Sequence, residues 1–196
     1  MSTTIDKFQS LYQMLYDHCE YAPHNGMVAW RDRILPIKPK YTKALDVGCG
    51  LGEGVALARG CGLDTWGVDI ADVHDKWAAI GIADYCQQAP AHKIPYPDNT
   101  FDFVTCTDVM EHIPAEYVIP SLSEIYRVGS KYFYFVMDSE LEKYPPINGI
   151  YTHVTLKPCD EWADIMVSIG YKIIATVVDA DHCTITAEKE LNENHF

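Results

Sequence analysis

No apolar run in this sequence approaches the roughly 18 residues that a membrane-spanning helix needs, so no span is expected. The opening residues, Met1-Ser2-Thr3-Thr4-Ile5-Asp6-Lys7, lack the apolar stretch of a signal peptide, so no secretory leader is expected. Seven cysteines occur at irregular spacing with no Cys-x-x-Cys, which argues against a zinc ribbon or a disulfide framework. They read as reduced thiols in a cytoplasmic protein. Positive charge is also scarce. Lys and Arg number 15 against 28 Asp and Glu, and the net charge of −13 would repel a polyanion unless a local basic patch compensated. Arg31, Arg33, Lys38, Lys40 and Lys43 are the nearest thing to such a patch. They are spread out and interrupted by Pro36 and Pro39, and read as solvated charges flanking a core strand. There is no internal repeat, no low-complexity tract and no second-domain boundary, and 196 residues suit one domain with one core.

What is present centres on Ala44-Leu45-Asp46-Val47-Gly48-Cys49-Gly50-Leu51-Gly52-Glu53-Gly54. A short apolar run reads as a buried strand, alternating glycines follow, and Val55-Ala56-Leu57-Ala58-Arg59 begins a helix. Strand, glycine turn and helix form a nucleotide cradle, because glycine permits the sharp turn and the close approach of a ligand. The helix N-terminus adds unpaired N–H groups. Asp69 closes a second apolar stretch, Thr65-Trp66-Gly67-Val68, at the distance where an acidic residue accepts from ribose hydroxyls. Cys49, inside the turn, reads as a small space-filler rather than a nucleophile.

Ile5, Phe8, Leu11, Tyr12, Leu15, Tyr16 and Cys19 recur in steps of three and four, which predicts an amphipathic helix over 5–20. A second helix is expected from Gly26 to Leu35, ended by Pro36. Strands are expected at 43–47, 64–69, 83–88, 101–106 and 131–137, with helices at 53–60, 75–79, 116–127 and 159–169. The last strands, 171–178 and 182–188, read as a hairpin. Alternation of strand and helix gives a mostly parallel α/β sheet. The segment from Asp138 to Lys157 is long for a loop in a compact domain, and such loops are often functional.

At Leu45-Asp46-Val47-Gly48-Cys49-Gly50-Leu51-Gly52 the sequence resembles the class I S-adenosylmethionine-dependent methyltransferases, of the type 11 kind. Two further blocks agree: Ile94-Pro95-Tyr96-Pro97-Asp98-Asn99-Thr100-Phe101-Asp102-Phe103-Val104 and Asp108-Val109-Met110-Glu111-His112-Ile113-Pro114. The resemblance implies a Rossmann-like, mostly parallel seven-stranded sheet with helices on both faces and an antiparallel C-terminal β-hairpin. It implies a helical segment over 1–40 that covers the site and a cofactor-binding methyltransferase domain over 41–190. S-adenosyl-L-methionine would be the cofactor and S-adenosyl-L-homocysteine the product. Asp46, Gly48, Cys49 and Gly50 would hold the methionine portion, Asp69 the ribose, and Ile70 the adenine. Thr107 would border the cofactor at the end of the fourth strand. Relatives place an acidic residue shortly before the Ile94-Pro95 block to meet the adenine amino group. This sequence has Gln87-Gln88-Ala89 there, so Gln88 and the Ala89 N–H are the expected substitutes. Tyr12, Tyr16, Tyr21 and His24 either line an acceptor pocket or pack helices onto the sheet.

Asp108, Glu111 and His112 fall within five residues and share a helix face if the segment is helical. Three roles are open: Glu111 and His112 orient each other and a neighbouring loop, His112 or Asp108 acts as general base, or the group binds a divalent ion. The spacing resembles the Glu-x-x-Glu-His of ubiquinone-pathway O-methyltransferases and of small-RNA 2′-O-methyltransferases, with Asp for the first Glu. His153 would complete the ligand set with Asp108, Glu111 and His112, or would face the acceptor, or would pin its loop. The Asn/Asp-Pro-Pro-Tyr/Phe motif that holds a flipped base is missing, and Cys106 reads as core. The expected function is methyl transfer from S-adenosylmethionine to a small-molecule acceptor at oxygen, with His112, His153 and Asp108 as catalytic candidates and no metal. No nucleic acid and no membrane partner are expected, and the protein would be a monomer or homodimer. The alternatives are a metal-assisted RNA 2′-O-methyltransferase and a non-catalytic partner protein that keeps the fold.

Overall fold

The computed structural model describes residues 3–17, 25–37, 43–138, 151–179 and 182–190. Tyr21 and His24 lie outside the described residues. The chain opens with α1 (Thr4–Asp17) and a short α2 (Asn25–Val28), which runs on as a π-helical turn, Ala29–Ile34, and a 3-10 turn, Leu35–Ile37. Pro36 therefore sits inside the final turn rather than ending a helix at its preceding residue. Then follow β1 (Lys43–Val47), α3 (Glu53–Gly60), β2 (Asp64–Asp69), α4 (His74–Ala79), β3 (Cys86–Gln88), β4 (Phe101–Thr107), α5 (Ala115–Val128), β5 (Gly129–Asp138), α6 (Cys159–Ile169), β6 (Tyr171–Val178) and β7 (His182–Lys189).

The seven strands form one sheet in the order β3-β2-β1-β4-β5-β7-β6. β1 to β5 pair in parallel. β7 enters antiparallel between β5 and β6. This is the expected α/β sheet with its closing hairpin. Period-2 alternation explains its two covered faces. On β4 and β5, Val104, Phe133 and Phe135 point to the α5 and α6 side, where Leu122, Ile125, Trp162 and Met166 meet them. Phe103, Tyr134 and Val136 point the other way, onto Trp30, Ile34 and Ala58. Helix α1 adds a third cluster, in which Leu11, Leu15 and Tyr16 pack with Val55 and Trp77. A parallel sheet buried on both faces is what the near-continuous apolar strands require.

Two local readings differ from the sequence expectation. Residues 83–85 form a 3-10 turn rather than the start of β3. The segment after β4 is not a helix from Asp108. Asp108 adopts a left-handed backbone, φ 53, and only Met110–His112 turns, as a 3-10 segment. Asp tolerates that conformation better than most residues.

The expectation of seven reduced thiols is corrected. Cys159 and Cys183 are joined in a disulfide, with Cα atoms 5.3 Å apart. They are 24 residues apart in sequence, and only the packing of α6 beside β7 brings them together. Cys49, Cys61, Cys86 and Cys106 are free, and Cys106 is fully buried in the core as expected. Denatured protein that has never met reductant should therefore titrate no more than five of its seven thiols with Ellman's reagent. A count of seven would remove the bond.

Candidate cofactor and acceptor site

The site lies beyond the carboxyl ends of β1, β2 and β4, where ligands settle in such sheets. The loop leaving β1 turns on three glycines with positive φ: Gly48 at 76, Gly50 at 53 and Gly52 at 81. Space as well as conformation demands glycine here. A Cβ on Gly48 would collide with Val109, one on Gly52 with Ile82, and one on Gly50 would lie 3.0 Å from the Tyr16 hydroxyl. The N–H groups of Gly48 and Cys49 both reach the Val68 carbonyl, at 2.8 and 3.0 Å, which ties the loop to β2. The Trp77 indole donates to the Gly50 carbonyl at 2.9 Å.

Asp69, at the tip of β2, closes the cradle. One carboxylate oxygen accepts the Gly50 N–H at 2.8 Å and the other accepts the Ala71 N–H at 2.9 Å. Burial pushes its pKa up to about 6, against the pull of those N–H groups. Asp46 is likewise buried and raised to about 6 by desolvation. Its oxygens accept the Thr105 hydroxyl at 2.8 Å and the Trp30 indole at 3.2 Å.

A cavity opens above this floor, with a void of about 1070 Å³ that includes open solvent at its mouth. Its floor is Gly48, Cys49, Gly50, Asp69, Ile70 and Thr107, and its far wall is Asp108, Val109 and His112. Ile5, Phe8, Tyr12, Tyr16 and Met27 roof it from the N-terminal helices. These tyrosines therefore line the cavity and pack the core together, so the two alternatives left open by the sequence coexist.

Three expected site residues stand elsewhere. Asp46 lies one layer below the cavity, engaged with Trp30 and Thr105. Gln88 is exposed and gives its amide to the Ile70 carbonyl at 3.2 Å. Ala89 spends its N–H on the Asp69 carbonyl at 2.7 Å, extending the ladder of β2 and β3, so that N–H is not available to an adenine ring. Pro90, Ala91 and His92 border the cavity in their place. No signal in the sequence separated positions 88–89 from 90–92. Cys49 fills the gap left by the missing Cβ of Gly67, which would lie 2.7 Å from its sulfur. Hydrogen bonding to Cys86 and burial push the Cys49 thiol well above its ordinary pKa, so it is a poor nucleophile.

Behind the far wall of the cavity, Glu111 is fully buried and acts as a hub. Its Oε1 accepts the Asp138 N–H at 2.9 Å, and its carbonyl accepts the N–H groups of Val154 and Thr155 at 2.9 and 3.0 Å. The backbone contacts hold the 152–155 segment against the end of β4. His112 Nδ1 lies 3.1 Å from the Thr152 carbonyl, and the rings of His112 and His153 are 4.7 Å apart. Donor atoms of Glu111, His112 and His153 lie within 4.8 Å of one another. Asp108 is not part of that group, so the four-residue ligand set that the sequence offered as an alternative to no metal reduces to three.

The strand order, the glycine loop closed by Asp69, and the roofed cavity define a class I S-adenosylmethionine-dependent methyltransferase fold. Residues 45–136 match the family model described as a methyltransferase domain. It is similar to ubiquinone biosynthesis O-methyltransferases: 28% identity over 155 residues with that of Cupriavidus pinatubonensis, covering 71% of this chain and 60% of the relative. That of Burkholderia multivorans is 28% identical over 153 residues, covering 71% and 65%. The chain thus spans about three fifths to two thirds of the length of these relatives. Among solved structures, the [4+2]-cyclase SpnF shares the fold with a TM-score of 0.72 at 16% identity, over 97% of this chain and 98% of the other. The 1,6-didemethyltoxoflavin-N1-methyltransferase of Burkholderia thailandensis does so with a TM-score of 0.68 at 15% identity, over 94% and 86%. No helix among the described residues is long and apolar enough to cross a membrane.

Burial and then the nearby charge of Asp108 push Glu111 from 4.5 up to about 8. A carboxyl raised on folding contributes stability at low pH that is lost as pH climbs through its folded value. Glu111→Gln keeps an acceptor for the Asp138 N–H and cannot ionise. In chelator-treated protein the substitution should raise Tm by several degrees at pH 8, because the cost of ionising the buried carboxyl is removed. Near pH 5 the gain should shrink toward zero. Calorimetry at the two pH values checks this.

Proposed function

We propose that the chain transfers a methyl group from S-adenosylmethionine to an oxygen atom of a small-molecule acceptor. The observation that carries the reading is one continuous cavity. It joins the Gly48–Gly50 cradle and Asp69 at one end to His112 under an aromatic roof at the other. The residues suit the cofactor: the cradle is one that a Cβ on Gly48 or Gly50 would fill, and each Asp69 oxygen keeps a lone pair beyond its N–H partner. Bound cofactor supplies an activated sulfonium methyl.

Asp69 would accept the ribose hydroxyls, and Ile70 with Ala91 would flank the adenine. The Gly48–Gly50 loop would hold the methionine portion, with Cys49 and Thr107 at its border. Asp46 positions rather than binds, because its carboxylate clamps Trp30 and with it the segment that carries Met27. Phe8, Tyr12 and Met27 would exclude water and align the acceptor, which is the main task when the methyl is already activated. His112 would take the acceptor's proton. The hydrogen bond to the Thr152 carbonyl places its own proton on Nδ1, which leaves Nε2 as the basic atom. His153 would support that ring. Asp108 borders the acceptor end. The named relatives, which are O-methyltransferases, favour oxygen as the acceptor atom. The acidic balance disfavours nucleic acid as substrate.

A second reading is favoured by one observation: Glu111, His112 and His153 converge, and Glu111 Oε2 has no partner among the described residues. Carboxylate and imidazole donors suit a divalent ion, which would relieve the buried acid. Glu111 as a structural hub accounts for the same geometry without an ion.

Asp69→Ala should weaken S-adenosylhomocysteine binding by roughly 1.5–3 kcal/mol, measured by titration calorimetry. Unchanged affinity would remove Asp69 from the site. His112→Ala should keep that affinity and lose about 10²–10⁴-fold in turnover. EDTA should leave turnover intact. Loss on chelation, restored by Mg²⁺ or Mn²⁺, would make the metal reading the correct one.

A further inference from the structure

Among the described residues β6 is the last strand of the sheet, and no described strand pairs with its outer edge. Most of its residues are exposed on both faces, and Ile174, Val177 and Val178 are 55%, 57% and 66% exposed. Exposed edges of this kind are usually blunted by charge, proline or a bulge. Here the protection covers only the first half of the strand. Lys172 is its one charge, paired with Glu188 at 2.7 Å, and the register shifts between Ile173 and Ala175. From Ala175 to Val178 the strand is regular, uncharged and β-branched at three of four positions. Beside it α6 exposes Val167. A shallow groove between α6 and the strand end is rimmed by Asp160 and Asp164.

We propose that a second copy of this chain docks antiparallel along the Ala175–Val178 edge of β6, about a two-fold axis, so that two sheets become one. Three observations select a second copy. An antiparallel edge is self-complementary under a two-fold axis, and each strand offers the other the same ladder of donors and acceptors. The charges are complementary end to end: Lys172, the one charge of β6, stands second in the strand beside Glu188, and just past the other end stand Asp179 and the acidic groove rim. A two-fold axis lays the basic end of one strand against the acidic end of the other. Finally, with a net charge of −13 on each chain, two copies repel over most of their surface, and β6 is a strip that carries no acidic residue. The apolar side chains of Val177 and Val178 then leave water. The site described above is untouched, because no residue of β6 lines its cavity.

Sedimentation velocity of the full chain tests the proposal. Dimer should dominate at about 100 µM, with dissociation on dilution toward about 1 µM, the range of a modest interface. The Ile174→Lys/Val177→Lys double variant should sediment as a monomer throughout, with S-adenosylhomocysteine affinity unchanged within about twofold as evidence of intact folding. Hydrogen exchange of the wild-type chain gives an independent reading. The backbone amides of residues 175–178 should exchange more slowly at the higher concentration. A wild-type chain that stays monomeric at about 100 µM would overturn the proposal. So would a dimer that the double variant preserves, or amides whose exchange is indifferent to concentration.

Discussion

Asp69 is almost entirely removed from water, and its two oxygens are held by the N–H groups of Gly50 and Ala71. The glycine loop, the tip of β2 and the start of the chain after it are therefore fixed to one carboxylate. The neighbouring carboxylate of Asp46 is held in the same way by Thr105 and Trp30. Burial raises the pKa of both acids, so each ionised group costs stability that its donors only partly offset. Keeping two such groups at adjacent strand ends costs the fold stability, and in return each carboxylate is held in a fixed orientation by its donors.

The N-terminal helices depend on that arrangement. Tyr16 reaches Gly50 because glycine leaves it room, and Trp30 reaches Asp46 through the sheet face. Helix α1 is held over the floor by the Tyr16 contact at Gly50 and by paired hydrogen bonds between Gln13 and the Asp72 backbone, while Trp30 is held to Asp46 one layer below. The far wall has its own anchor in Glu111, which joins the turn after β4 to the end of β5 and to the 152–155 segment. His112 takes its orientation from the Thr152 carbonyl in that same segment. Roof and wall meet where the rings of Tyr12 and His112 stand edge to face, 5.9 Å apart.

Much was legible in the sequence because it is encoded over short distances. The strand before Gly48, the glycine spacing, the helix from Glu53 and the distance from Gly50 to Asp69 are local patterns, and local patterns fix local backbone. The same holds for the period-2 strands and for the closing hairpin. Tertiary structure decided the rest. Asp46 clamps Trp30 rather than lining the cavity because a helix far from it in sequence covers that side of β1. Pro90–His92 line the cavity where Gln88 and Ala89 were expected, because the β2 and β3 ladder runs further than the apolar pattern signals and consumes the Ala89 N–H. Asp108 leaves the helical face it would share with His112 because the chain turns left-handed to leave β4. Cys159 and Cys183 meet because α6 lies beside β7. Each of these depends on which distant group arrives at a given atom, and spacing along the chain carries no record of that.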